Sequence, residues 1–131
     1  MIGLDTNIVL RYLTQDDPIQ SAKVTLLMER RLTQHRPGFI SLVTIAEVAW
    51  TLAATYELSK REIARILDGI LAAPNIFVQN EQEVAAAMIA LEEGNDFADA
   101  LIAALSDWAG CSTTLTFDRK ATRIKGFELL S

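Results

Sequence analysis

A chain of 131 residues that is half hydrophobic can bury about two-thirds of its unfolded surface as one domain, without a metal or disulfide staple. Its single cysteine, Cys111, excludes an internal disulfide and a cysteine-based zinc site, and three Pro and six Gly are too few for a disordered chain. A formal net charge of −5 runs against a general polyanion binder, and no uncharged apolar stretch is long enough to span a bilayer.

Hydrophobic periodicity and punctuation divide the chain into alternating strands and helices. Residues 1–4 are a short apolar start ended by Asp5. Residues 6–14 place Ile8, Val9, Tyr12 and Leu13 at helical spacing. Asp16-Asp17-Pro18 then starts a long amphipathic helix reaching about Gln34, which Arg36-Pro37-Gly38 closes. A second strand covers 39–42. Helices follow at 44–56 and 60–72, the latter opened by the capping box Ser59-Lys60-Arg61-Glu62. Pro74 ends that pair, and 75–78 is a third strand. Asn80 with Glu83 resembles another cap, before a helix to Glu93 broken by Gly94. An Ala-rich helix at 97–109 stops at Gly110. The Thr-rich stretch 112–117 is a fourth strand, Asp118 begins a turn, and 127–130 is an edge strand. Short strands separated by helical crossovers predict a single α/β domain over residues 1–131, with a central, mostly parallel sheet of four to five strands flanked by helices.

Functional groups of such a sheet gather beyond the carboxyl ends of its strands. Asp5 follows the first strand and Asp118 the fourth, while Glu47 is expected in the first turn of the helix after the second. Asp99 sits in a helix where the positions three and four later are Ile102 and Ala103. An ionised carboxylate on an apolar face is costly unless it is paired or bound to a metal. Carboxylate oxygens suit hard ions such as Mg²⁺ or Mn²⁺. Each acid also has a purely structural explanation. Asp5 can N-cap the helix at Thr6, Glu47 completes the capping box Thr44-Ile45-Ala46-Glu47, and Asp118 can be a turn residue. Asp96, three residues before Asp99, is explained as a charge at a helix start.

In order and spacing, four segments together resemble the PIN domains, and especially the VapC toxins of bacterial toxin–antitoxin pairs. They are Ile2-Gly3-Leu4-Asp5-Thr6-Asn7, Ser41 to Trp50, Asp96 to Ala104, and Leu115-Thr116-Phe117-Asp118-Arg119-Lys120-Ala121. The resemblance spans the whole chain and implies a PIN-like fold. It also implies an RNA-cleaving enzyme using Mg²⁺ or Mn²⁺, with Asp5, Glu47, Asp99 and Asp118 as the metal-holding catalytic acids. Thr6, Asn7, Asp96 and Thr116 then orient those carboxylates or bound water. Arg119 and Lys120, directly after Asp118, are the best-placed cations for an RNA phosphate. The metal would lower the pKa of a water, so that products end in 5′-phosphate and 3′-hydroxyl. The implied partners are RNA, a cognate antitoxin and a second copy in a homodimer, with no membrane.

Other features fit or compete. Residues 1–36 hold five basic and four acidic groups, and residues 75–131 four basic and nine acidic, so the acidity is partly the candidate site itself and a bound ion inverts it locally. The only histidine, His35, stands at a polar helix end, which argues against a ribonuclease with paired histidines. Tyr12 and Trp50 either pack in the core or edge a partner groove. Arg11, the Arg30-Arg31 pair and Arg123 are further candidates to meet phosphates, with solvated surface charge the commoner reading for Arg30 and Arg31. Cys111 reads as a small buried hydrophobe. With Asp5 interrupting the N-terminus before an apolar run forms, no signal peptide is expected, and the default location is cytoplasmic. A PIN-like scaffold that binds without cutting is the principal alternative. A HAD-like phosphatase also places an Asp after a first strand, but needs a second Asp where Asn7 stands.

Overall fold

The computed structural model describes residues 1–131 and groups them into two compact units. One comprises Met1–Glu57 and Gly69–Gln79, the other Leu58–Asp68 and Asn80–Ser131.

In the first unit the chain runs through β1 (Ile2–Gly3), α1 (Thr6–Thr14), α2 (Pro18–Leu26), β2 (Gly38–Ile40), α3 (Leu42–Ala54) and β3 (Ile76–Val78). The strands form a parallel sheet with β2 in the middle, in a register that pairs Gly3 with Phe39 and Phe39 with Phe77. The Phe39 and Phe77 rings stack with centroids 6.1 Å apart. Buried Leu4, Val9, Leu10, Ile40, Ile45, Val48 and Leu52 form the core of this unit. The start of α2 is as the sequence predicts, with Asp17 capping the Ile19 and Gln20 amides and Pro18 in the first turn. Asp16 accepts hydrogen bonds from Tyr56 Oη at 2.6 Å and Thr14 Oγ1 at 2.8 Å.

Two expectations fail here. The helix predicted to reach Gln34 leaves α geometry after Leu26, continues as a π-helical segment Leu27–Arg31, and turns extended at Leu32. In the π segment the Leu32 amide reaches back to the Leu27 carbonyl, and the Met28 carbonyl takes a hydrogen bond from Asn75 Nδ2 at 2.7 Å. That contact couples the wide turn to the start of β3 and buries Leu32, which is 4% exposed. Gly38, expected to close a helix, lies in β2. A Cβ there would meet Leu4 Cδ1 at 2.7 Å and Leu32 Cδ1 at 3.0 Å, so the glycine is required by side chains packed against the strand.

In the second unit the first turns of α4 (Lys60–Ala72) are followed by α5 (Glu81–Glu92), α6 (Phe97–Trp108), β4 (Thr114–Thr116), a 3-10 turn at Ala121–Arg123 and β5 (Phe127–Leu129). The α4 capping box forms as read: the Glu62 amide donates to Ser59 Oγ and the Ser59 amide to Glu62 Oε1, each at 3.1 Å. The Asn80 cap does not form. Asn80 adopts a left-handed conformation and donates through Nδ2 to Glu83 Oε1, leaving the backbone at the start of α5 without a side-chain acceptor. Helices α5 and α6 make the most extensive helix pairing in the chain, through buried Val84, Ala87, Met88, Leu91, Ala100 and Ala103. Gly94, at φ 98°, supplies the left-handed residue that the turn between them requires. Strands β4 and β5 pair in parallel, Thr114 with Phe127 and Thr116 with Leu129.

The α/β architecture and parallel pairing are as predicted, with five strands and every pair parallel. The strands pair as a three-stranded and a two-stranded set. Strands of two or three residues carry few ladder bonds each, so packed helices contribute much of their support. No helix is long and apolar enough to cross a membrane.

Candidate active site

In the first unit, Asp5 is the N-cap of α1. Its backbone is extended, and Oδ1 accepts from the Ile8 amide at 3.0 Å. The structural explanation therefore holds for one carboxylate oxygen and leaves the other uncommitted. Thr6, the next residue, donates its hydroxyl to Glu47 Oε1 at 2.8 Å. Because α1 packs on α3, this bond joins the residue after Asp5 to Glu47 and holds the two acids on neighbouring helices. Asn7 is exposed, and no side-chain hydrogen bond ties it to either acid.

Glu47 corrects two expectations. The helix begins at Leu42, so Glu47 lies in its second turn, and the box Thr44–Glu47 does not form. Ser41 is the N-cap and accepts from the Thr44 amide. The Leu42 amide is taken by Gln79 Oε1 at 3.0 Å. With its helix capped by other residues, Glu47 has no capping duty. It lies exposed, with Val43 four residues before it and Trp50 three residues after it, both 70% exposed. Trp50 is thus a surface residue, while Tyr12 is half-buried. Sequence reasoning missed Ser41 and Gln79. Ser41 was masked by the apparent box at Thr44, and Gln79, 37 residues from its partner, leaves no local signal.

In the second unit, Asp96 is the N-cap of α6, with Oδ2 accepting from the Asp99 amide at 2.9 Å. Asp99, in the first turn, is half-buried. Burial, followed by the negative charges of Asp96 and Asp118, holds its pKa above the ordinary carboxylate value. The structure therefore brings Asp96 and Asp118 each within electrostatic reach of Asp99. The apolar face inferred for Asp99 is only half correct, since Ala103 is buried but Ile102 is 50% exposed. Asp118 stands beyond the end of β4, with Phe117 between, and is fixed by two hydrogen bonds. Its amide donates to Thr116 Oγ1 at 3.0 Å, and its Oδ1 accepts from the Lys120 amide at 2.9 Å. Thr116 thus engages the backbone amide of Asp118 and not its carboxylate. Arg119 and Lys120 are exposed in the turn that leads into the 3-10 segment. Cys111 is exposed as well, contrary to expectation, because it follows the chain reversal at Gly110, where φ is 94°.

These donors suit a hard divalent cation by type, being carboxylate oxygens that are exposed or half-buried. No group of three or more His, Cys, Asp or Glu is arranged to hold a metal ion. Mg²⁺ asks for less, since it is commonly held by one or two carboxylates and completes its shell with water and substrate phosphate. The pair Asp5 and Glu47, and the pair Asp99 and Asp118, each meet that requirement in kind. His35 is in the turn before β2, whereas Asp5 and α3 follow the carboxyl ends of β1 and β2. It is no acid–base partner for them.

Comparison with protein-family models matches residues 2–126 to the PIN domain. A search of curated proteins finds no match.

Proposed function

The chain belongs to the PIN-domain family, generally nucleases, and on that premise we propose that it is a Mg²⁺- or Mn²⁺-dependent endoribonuclease acting as the toxin of a toxin–antitoxin pair. Asp5, Glu47, Asp99 and Asp118 are its proposed metal-holding and catalytic carboxylates. The observation that carries the reading is Glu47. A glutamate released from capping, exposed to solvent and hydrogen-bonded by the residue after Asp5 is poorly explained by stability alone. A half-buried Asp99 with like charges beside it points the same way, because such repulsion is tolerated where a cation relieves it.

Held by these carboxylates, a divalent ion would supply neutralisation of charge at the phosphate and a more acidic water. The protein's own groups set the geometry. The Thr6 hydroxyl fixes one oxygen of Glu47, leaving Oε2 for a ligand. The helix amide on Asp5 Oδ1 leaves Oδ2 for the same use. Thr116 and the Lys120 amide hold Asp118 from both sides, and Asp96 fixes the first turn of α6 around Asp99. The exposed Arg119 and Lys120 are the proposed phosphate contacts. With water as nucleophile, the expected ends are a 5′-phosphate and a 3′-hydroxyl. An antitoxin and a second copy of the chain are the proposed protein partners, and the cytoplasm the proposed location. The exposed Val43 and Trp50 beside Glu47 offer the apolar and aromatic area that a covering partner needs.

The test is incubation of mixed cellular RNA with the protein and Mg²⁺ or Mn²⁺, beside Asp5→Asn and Asp99→Asn. Metal-dependent cuts, absent from both variants and from chelator controls, are expected. No cutting of any RNA by the antitoxin-free wild type favours the scaffold that binds without cutting, and equal cutting by the variants means the site is misassigned.

A further inference from the structure

Residues 29–36 hold Arg30, Arg31 and Arg36, the only histidine, His35, and one acid, Glu29. The arginines and the histidine are all exposed, and the one ion pair in the structure joins Arg11 to Asp16, so no carboxylate neutralises these arginines. Their gathering has a structural cause. The π segment ends on Arg30 and Arg31, and the chain then buries Leu32. It next reverses in a tight turn, where the Thr33 amide donates to the Arg36 carbonyl at 3.1 Å and the Arg36 amide to the Thr33 carbonyl at 3.2 Å. Thr33 Oγ1 also accepts from the Arg36 amide at 3.0 Å. The reversal brings Arg36 back beside Thr33, two positions after Arg31, and makes one cationic knob of the segment.

The knob precedes β2, whereas Ser41 and α3, with Glu47, follow that strand. At about 3.3 Å of rise per strand residue, Arg36 and Ser41 are separated by roughly 16 Å. A phosphate on the knob is therefore distinct from one held at Glu47. Guanidinium groups pair with phosphate oxygens through two parallel hydrogen bonds. The exposed Thr33 and Gln34 among them add donors of the kind that contact nucleic-acid backbones.

We propose that Arg30, Arg31 and Arg36 form a secondary phosphate-binding site that grips single-stranded RNA away from the bond to be cut. The proposal rests on the ribonuclease reading above. It makes substrate length a determinant of affinity, because a short RNA held at the carboxylates does not reach the knob.

The test is fluorescence anisotropy of labelled oligouridylate in EDTA over a salt series, with wild type and the triple variant Arg30→Gln/Arg31→Gln/Arg36→Gln. Circular dichroism confirms that the variant is folded. Single-stranded RNA gives a slope of about 0.7 per phosphate contact in log affinity against log salt, so loss of three contacts lowers the slope by about 2. Identical slopes for wild type and variant overturn the proposal, as does a wild type that binds no RNA. Asp5→Asn separates the two readings: it is expected to abolish cutting while keeping the wild-type slope. Steep, variant-sensitive binding by a wild type that cuts nothing with either metal sinks the nuclease reading and leaves the phosphate site standing.

Discussion

At the scale of single residues, the Thr6 hydroxyl on Glu47 Oε1 is the most specific polar contact of the candidate site. Thr6→Ala removes the donor from a half-buried helix start and leaves Val9 and Leu10, the buried residues of α1, unchanged. Groups that orient metal-holding side chains are commonly worth about 10–100-fold in activity or metal affinity. We expect RNA cleavage by Thr6→Ala to fall within that range, with unchanged circular dichroism and recovery in Thr6→Ser. Equal activity in Thr6→Ala removes the role assigned to the contact. Asp99 gives a second prediction, one of sign. Its folded pKa lies above the unfolded value because of burial, Asp96 and Asp118. The folded state therefore binds more protons there than the unfolded state. Ionised Asp99 opposes folding above its folded pKa, and that opposition is relieved as pH falls through it. In chelator, Asp99→Asn should raise the melting temperature relative to wild type at neutral pH, with the advantage shrinking toward pH 4. A constant difference across that range contradicts the assignment.

At the scale of elements, local signals were legible and distant ones were not. The Asp17-Pro18 start of α2, the Ser59–Glu62 box and the glycine turn at Gly94 each depend on residues within a few positions, and each forms as read. The start of α3 was misread because two caps compete in the sequence and the deciding partner, Gln79, comes from beyond β3. The end of α2 was misread because its periodicity continues while Asn75 draws the Met28 carbonyl out of α geometry. Gly38 shows the same limit. As a sequence it reads as a breaker, and only packed against Leu4 and Leu32 is it a strand residue. Gly38→Ala drives a methyl into two packed leucine side chains, an overpacking that costs roughly 1–3 kcal/mol. The expected result is a lower urea midpoint with an unchanged slope. An unaltered midpoint means that both leucines move aside freely.

At the scale of the whole molecule, the candidate carboxylates account for much of the chain's acidity, and a divalent ion that binds them in the folded state must stabilise it. Ion at about a hundredfold excess over its dissociation constant contributes about 2.7 kcal/mol. Mg²⁺ or Mn²⁺ should therefore raise the melting temperature of wild type by several degrees, and that of Asp5→Asn/Asp99→Asn by much less. Equal rises in both proteins place the ion elsewhere. The family was legible because four short segments resemble it together in order and spacing, though each alone is weak. Of the cationic knob the sequence offers only the Arg30-Arg31 pair as a candidate phosphate contact, and Arg36 joins it through the reversal at Thr33.

The two tryptophans bear on how any of this is measured. Trp50 on α3 and Trp108 at the end of α6 are 70% and 65% exposed, so the native protein is expected to emit like an indole in water. Unfolding should shift that emission little, which makes circular dichroism the better probe of stability. For binding the same exposure is an asset. A protein that covers either helix face takes an indole out of water and shifts its emission to the blue, so unlabelled protein reports its own partners. Replacing one tryptophan at a time with phenylalanine tells which helix was covered.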